Sequence, residues 1–110
     1  MKKEIRKSKR VPFKQRIKFG IQKPEDYGAC YDLSDYGLGI FTEKAVDVGT
    51  TLKIEIQLGD MSIKTEGEVV WTFQDTILGH YRSGIKLTVY PEMLRGIHKK
   101  ALQTLKQKAS

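Results

Sequence analysis

Between Leu52 and Phe73 apolar and polar residues alternate almost without interruption, and this period of two constrains the fold more than any other feature. Leu52, Ile54, Ile56 and Leu58 fall on one side of an extended chain, Gly59-Asp60 reverses it, and Met61, Ile63, Thr65, Gly67, Val69, Trp71 and Phe73 continue the alternation on the way back. A helix would scatter these positions around its circumference, whereas a strand sends successive side chains to opposite faces. Gly-Asp between two such runs predicts a β-hairpin with one buried face.

The same period recurs along the chain. Val11, Phe13, Gln15, Ile17 and Phe19 alternate with polar residues, Tyr27 to Leu33 and Leu38 to Thr42 are strand candidates around the Ser34–Gly37 turn, and a last strand runs from Gly79 to Val89. Gly84 inside that strand marks a bulge or a close approach of another group. Gly20 to Asp26, with Pro24, reads as a surface loop. Pro91 then opens a helix whose Leu94, Ile97, Ala101 and Leu105 share one face. Many short strands with no helix between them predict an all-β fold, a closed or nearly closed antiparallel barrel with a C-terminal α-helix. Closure also removes strand edges that would otherwise need protection. The expected organisation is one domain: a flexible basic arm over 1–10, the barrel over 11–90 and the helix over 91–108.

A chain of 110 residues supports one hydrophobic core. No apolar run approaches the roughly 20 residues of a membrane span, and Lys14, Arg16 and Lys18 interrupt any signal-peptide core after the basic start. The single cysteine, Cys30, excludes an internal disulfide and fits a reducing cytoplasm; in a strand it reads as a small buried hydrophobe. His80 and His98 have no partner at ligand spacing, so no metal site is expected. Ser34 lacks a nucleophile-elbow context, and no phosphate loop or dinucleotide fingerprint occurs, which disfavours an enzyme. Trp71 reads as a core or barrel-rim aromatic.

The net charge of +7 is unevenly distributed. Residues 1–18 hold nine Lys/Arg against one acid and residues 92–110 five against one, while 19–91 hold six against eleven. The barrel is mildly acidic and the attraction for anions sits on its terminal extensions, a pattern that favours a small anionic ligand over a polymer lying across the fold. Two clusters then stand out. Arg6 and Arg10 place two guanidinium forks in the basic arm, and Asp32-Leu33-Ser34-Asp35-Tyr36-Gly37 places a carboxylate, a hydroxyl and a glycine between two strands. Guanidinium forks pair with phosphate in a bidentate geometry, while a carboxylate repels phosphate and accepts from N–H donors such as those of guanine. The pair suits a guanine nucleotide.

The order Arg6-x-x-x-Arg10-Val11-Pro12-Phe13, then Asp32-x-Ser34-x-x-Gly37-x-Gly39-Ile40, resembles the PilZ domain. Gly49 before a strand, Gly67-x-Val69-Val70-Trp71 and Ser83-Gly84-Ile85-Lys86-Leu87 follow the same pattern, so the similarity spans residues 5–90. It implies a six-stranded antiparallel barrel that receives the bacterial second messenger cyclic di-GMP as ligand, with no cofactor. It further implies that Arg6 and Arg10 meet the phosphates and the Hoogsteen edge of guanine, that Asp32 accepts from the Watson–Crick edge, and that Ser34 bonds a phosphate or base. Gly37 is expected to turn with positive φ and Gly39 to allow close approach. Lys7 stands where many members carry a further arginine; it supplies charge without the planar fork.

Each motif alone has a blander reading, a solvated tail for the basic run and a self-satisfied turn for Asp32-Leu33-Ser34. Their joint order and spacing favour ligand binding. The expected mechanism is an arm that becomes ordered on the ligand and signals to an unidentified protein partner. The alternatives are a small basic-armed barrel for nucleic acid, against which the acidic barrel weighs, and a ligand-free interaction adaptor.

Overall fold

A computed structural model describes residues 9–109, with side chains as far as residue 105. Arg6, Lys7 and the rest of the arm before Lys9 lie outside the described residues. Six strands follow in order: β1 (Val11–Gly20), β2 (Asp26–Leu33), β3 (Gly37–Thr42), β4 (Thr51–Leu58), β5 (Met61–Asp75) and β6 (His80–Val89). Helix α1 (Glu92–Ala109) comes after them. Around the wall the strands run β1-β2-β3-β6-β5-β4, and β4 pairs back with β1, so the barrel is closed. All pairings are antiparallel. The expected fold class is the observed one.

The inward half of each alternation builds the core. Ile17, Phe19, Leu33, Ile40, Leu52, Ile54, Ile56, Val69 and Ile85 are all buried. The β4–β5 hairpin pairs Ile54 with Thr65 and Ile56 with Ile63 in unbroken register, and Gly59 takes the left-handed φ of +59° that its turn requires.

Two bulges set what faces outward. In β2 the register shifts between Cys30 and Asp32, so Tyr31 and Asp32 both stay off the core while Cys30 and Leu33 beside them are buried. In β5 the shift between Val69 and Trp71 likewise leaves Val70 and Trp71 on the outer wall. Trp71 is therefore an outer-wall residue, 39% exposed, and its indole lies over Gly84.

Pro91 precedes α1, and its carbonyl accepts hydrogen bonds from the amides of Leu94 and Arg95 at 3.1 and 3.2 Å. The helix seats through fully buried Leu94 and through His98, with Ile97, Ala101 and Leu102 packed beside them. Leu105, expected on this face, is 45% exposed, because the seam follows the i, i+4, i+8 line Leu94–His98–Leu102.

Candidate functional site

The Ser34–Gly37 turn is held by its own hydrogen bonds. The Ser34 amide donates to the Gly37 carbonyl at 2.9 Å, and the Gly37 and Tyr36 amides donate to Ser34 Oγ at 3.1 and 3.4 Å. The Leu87 amide on β6 donates to the Tyr36 carbonyl at 2.9 Å and ties the turn to the wall. Ser34 is wholly buried. Its hydroxyl, expected on a phosphate or base, is engaged within the turn instead, so Ser34 shapes the segment that carries Asp32.

Gly37 also differs from expectation. Among the described glycines positive φ occurs at Gly49, Gly59 and Gly79, and Gly37 does not share it. What excludes a side chain there is packing: a Cβ on Gly37 would lie 2.1 Å from the Ile85 carbonyl oxygen of β6. At Gly39 what comes close is the protein's own side chains, since a Cβ there would lie 2.6 Å from Asp32 Oδ1 and 2.5 Å from Tyr31 Cζ.

Gly39 and Gly84 make a shelf on the barrel's outer wall. Asp32 pairs with Gly39, Gly39 with Gly84 and Gly84 with Trp71, so two bare positions separate the carboxylate from the indole. The space over each is taken by its neighbour, Asp32 and Tyr31 over Gly39 and Trp71 over Gly84. Arg10 reaches the Asp32 side of the shelf: its Nη1 lies 3.1 Å from Asp32 Oδ1, with the side chains 45% and 21% exposed. Two residues 22 positions apart in sequence are thereby brought together. Such a part-exposed pair adds no more than about 1 kcal/mol to stability, and both groups keep lone pairs or N–H donors for a ligand.

Three neighbours escaped the sequence reading. The Arg82 guanidinium sits 5.1 Å from the Tyr31 ring centre and 5.7 Å from that of Phe41, and the two rings are 4.7 Å apart. Parity could have found Phe41 and Arg82, which share outer faces with Gly39 and Gly84, once the β3–β6 register was known. Tyr31 could not be found this way, because the β2 bulge breaks the alternation.

Helix α1 and its approach also touch both motif segments. Tyr90 donates its hydroxyl hydrogen to the Ser34 carbonyl at 2.6 Å, and Arg95 lies 4.3 Å from the Tyr90 ring centre. Burial pushes the Tyr90 phenol above its ordinary range, so it remains a neutral donor. His98 Nε2 lies 2.8 Å from the Lys9 carbonyl oxygen. Cys30 is buried, donates to the Gln15 carbonyl at 3.6 Å, and burial raises its pKa to about 11, so it is no nucleophile at neutral pH.

Tyr31 and Phe41 also line one depression beside the shelf, and Phe41 a second. Depressions of about 630, 620 and 620 Å³ flank Ala29 and the β1–β2 loop, and their walls do not include Arg10, Asp32, Gly37 or Gly39. Among the described residues no cluster of His, Cys, Asp or Glu could hold a metal ion, and no helix is long and apolar enough to cross a membrane.

The family model of the PilZ domain matches residues 4–100, and the chain belongs to that family. Among curated proteins none matches it. The fold resembles that of the Bacillus subtilis inhibitor of motility MotI/DgrA, at 14% identity and a TM-score of 0.73 over 94% of this chain and 52% of that one. It also resembles the PilZ domain of Escherichia coli YcgR with c-di-GMP, at 17% identity and a TM-score of 0.62 over 93% of this chain and 95% of that one. A longer Escherichia coli YcgR chain in complex with c-di-GMP matches at 18% identity and a TM-score of 0.66, over 93% of this chain and 46% of that one. The chain thus spans about half the length of MotI/DgrA and of that longer YcgR chain.

Proposed function

We propose that this chain is a cytoplasmic receptor for cyclic di-GMP, a binding module rather than an enzyme, and that its occupied face signals to a protein partner. The observation that carries the reading is the meeting of Arg10 and Asp32 at the edge of the glycine shelf. Arg6, Lys7 and Arg10 would take the phosphates and the Hoogsteen edge of guanine, and Asp32 the Watson–Crick N–H groups. Gly37, Gly39 and Ser34 would set the height and position of Asp32. Family membership and the two YcgR structures with c-di-GMP support the choice of ligand.

Each charge-assisted hydrogen bond is worth about 1.5–3 kcal/mol, and micromolar affinity corresponds to roughly −8 kcal/mol. A few such contacts reach that value after ordering costs. The test is isothermal titration with cyclic di-GMP beside cyclic di-AMP and a short oligonucleotide. Saturable binding of cyclic di-GMP, lost in Arg10→Ala, is expected; equal heats with the oligonucleotide, and affinity falling steeply with salt, would identify a nucleic-acid binder instead. Asp32→Ala should weaken binding and relax the preference for guanine over adenine, and unchanged selectivity would remove its assigned role.

A further inference from the structure

His98 is buried, 6% exposed, on a helix whose other inward residues are apolar. A carbonyl only accepts, so His98 Nε2 carries the proton and donates it to Lys9, 89 positions earlier. Lys9 precedes β1 and is the residue next to Arg10, whose guanidinium is held by Asp32. Two consecutive residues of the RxxxR segment are therefore fixed by two different elements, one through its backbone and the other through its side chain. The second motif has a matching support, because Tyr90 donates to the carbonyl of Ser34 across 56 positions. Fully buried Leu94, one turn before His98, anchors the helix that begins two residues after Tyr90.

We propose that α1 and the residue before Pro91 complete the ligand site, with His98 and Tyr90 as positioning residues for the RxxxR and DxSxxG segments respectively. The inference rests on the reading of the shelf as a cyclic di-GMP site. Neither residue touches the ligand in this account. His98 holds the backbone at Lys9 so that Arg10 starts within reach of the shelf, which lowers the ordering cost of binding. Tyr90 holds the carbonyl side of the turn whose other hydrogen bonds set the direction of Asp32.

The experiment compares wild type with His98→Leu, which fills the space without a donor, His98→Gln, which restores an N–H donor, and Tyr90→Phe, which removes only the hydroxyl. Titration with cyclic di-GMP should show His98→Leu and Tyr90→Phe weakened roughly tenfold, and His98→Gln within about threefold of wild type. Thermal unfolding without ligand confirms that each variant is folded. Wild-type affinity in His98→Leu, or a His98→Gln as weak as His98→Leu, would overturn the role of His98; wild-type affinity in Tyr90→Phe would overturn that of Tyr90. A ligand-free readout separates this inference from the one beneath it. Trypsin should cut after Lys9 and Arg10 several-fold faster in His98→Leu than in wild type, and equal rates would refute the tether. If wild type fails to bind cyclic di-GMP while cutting is still faster in the variant, the tether stands and the choice of ligand falls.

Discussion

At the scale of single residues, Gly37 and Gly39 separate stability from binding. An alanine Cβ at position 37 would meet the Ile85 carbonyl oxygen at 2.1 Å, and because that atom belongs to the backbone of β6 the wall itself must move. Gly37→Ala should cost about 3 kcal/mol or more in urea unfolding. At position 39 the nearest atoms belong to the side chains of Tyr31 and Asp32, which can rotate away. Gly39→Ala should cost only about 1 kcal/mol of stability, yet weaken cyclic di-GMP binding at least tenfold by turning Asp32 off the shelf. Similar losses of stability in the two variants would mean that the Asp32 and Tyr31 side chains are as immovable as backbone. Cys30 gives a pH dependence of definite sign. Burial raises its pKa from 9.0 to about 11, so above pH 9 the unfolded chain releases a proton that the folded chain keeps. Its contribution to stability should therefore fall between pH 9 and about 11, by roughly 2 kcal/mol. Denaturant midpoints of wild type and Cys30→Ala across that range test this, since the variant should lack this part of the decline.

At the scale of elements, legibility in the sequence follows how regular each strand is. The β4–β5 hairpin is clear because its register is unbroken over eight pairs, and every inward residue up to Val69 keeps the period of two. The two bulges are where the reading loses detail. One extra residue in β2 puts Tyr31 beside Asp32 on the outer wall, and one in β5 does the same for Val70 and Trp71. The β2 bulge breaks the alternation and hides Tyr31, and Phe41 and Arg82 needed the β3–β6 register, whereas Asp32 and Gly39 stand out in their motif. Ser34 was legible as a turn residue, but whether its hydroxyl faced inward depended on hydrogen bonds that only the folded turn supplies. His98 and Tyr90 act across 89 and 56 positions, and no spacing rule links residues so far apart. The β5 bulge also provides a probe, because Trp71 is the single tryptophan. Its indole Nε1 would lie 2.1 Å from a Cβ at position 84. Gly84→Val should push the indole into solvent and shift its emission to the red. Unchanged emission would mean that the ring does not rest on Gly84 in solution.

At the scale of the whole molecule, a closed barrel leaves a ligand few ways to act. Among the described residues each strand has a neighbour on both sides, β1 meeting β4 over Ile17 to Gly20, so the closed wall leaves little edge for a peptide to add as a strand. What can respond is the start of β1 and helix α1, which meet where His98 bonds the Lys9 carbonyl. A ligand that bridges Arg10 and Asp32 would join the N-terminal segment to the β2–β3 turn and, through Tyr90, to the approach of α1. Such bridging adds stability only to the folded state, by about 2.7 kcal/mol at a ligand concentration of 100 Kd. At roughly 4 °C per kcal/mol for a domain of about this size, the rise in Tm is about 11 °C. Arg10→Ala separates the ligand's effect from that of the fold. The exposed ion pair that it removes is worth at most about 1 kcal/mol, so the unliganded Tm should stay close to that of wild type while the ligand-induced rise disappears. A rise that survives in Arg10→Ala would place the ligand away from the shelf; a wild type with no rise at saturating cyclic di-GMP would leave the barrel as a scaffold whose ends serve a partner directly.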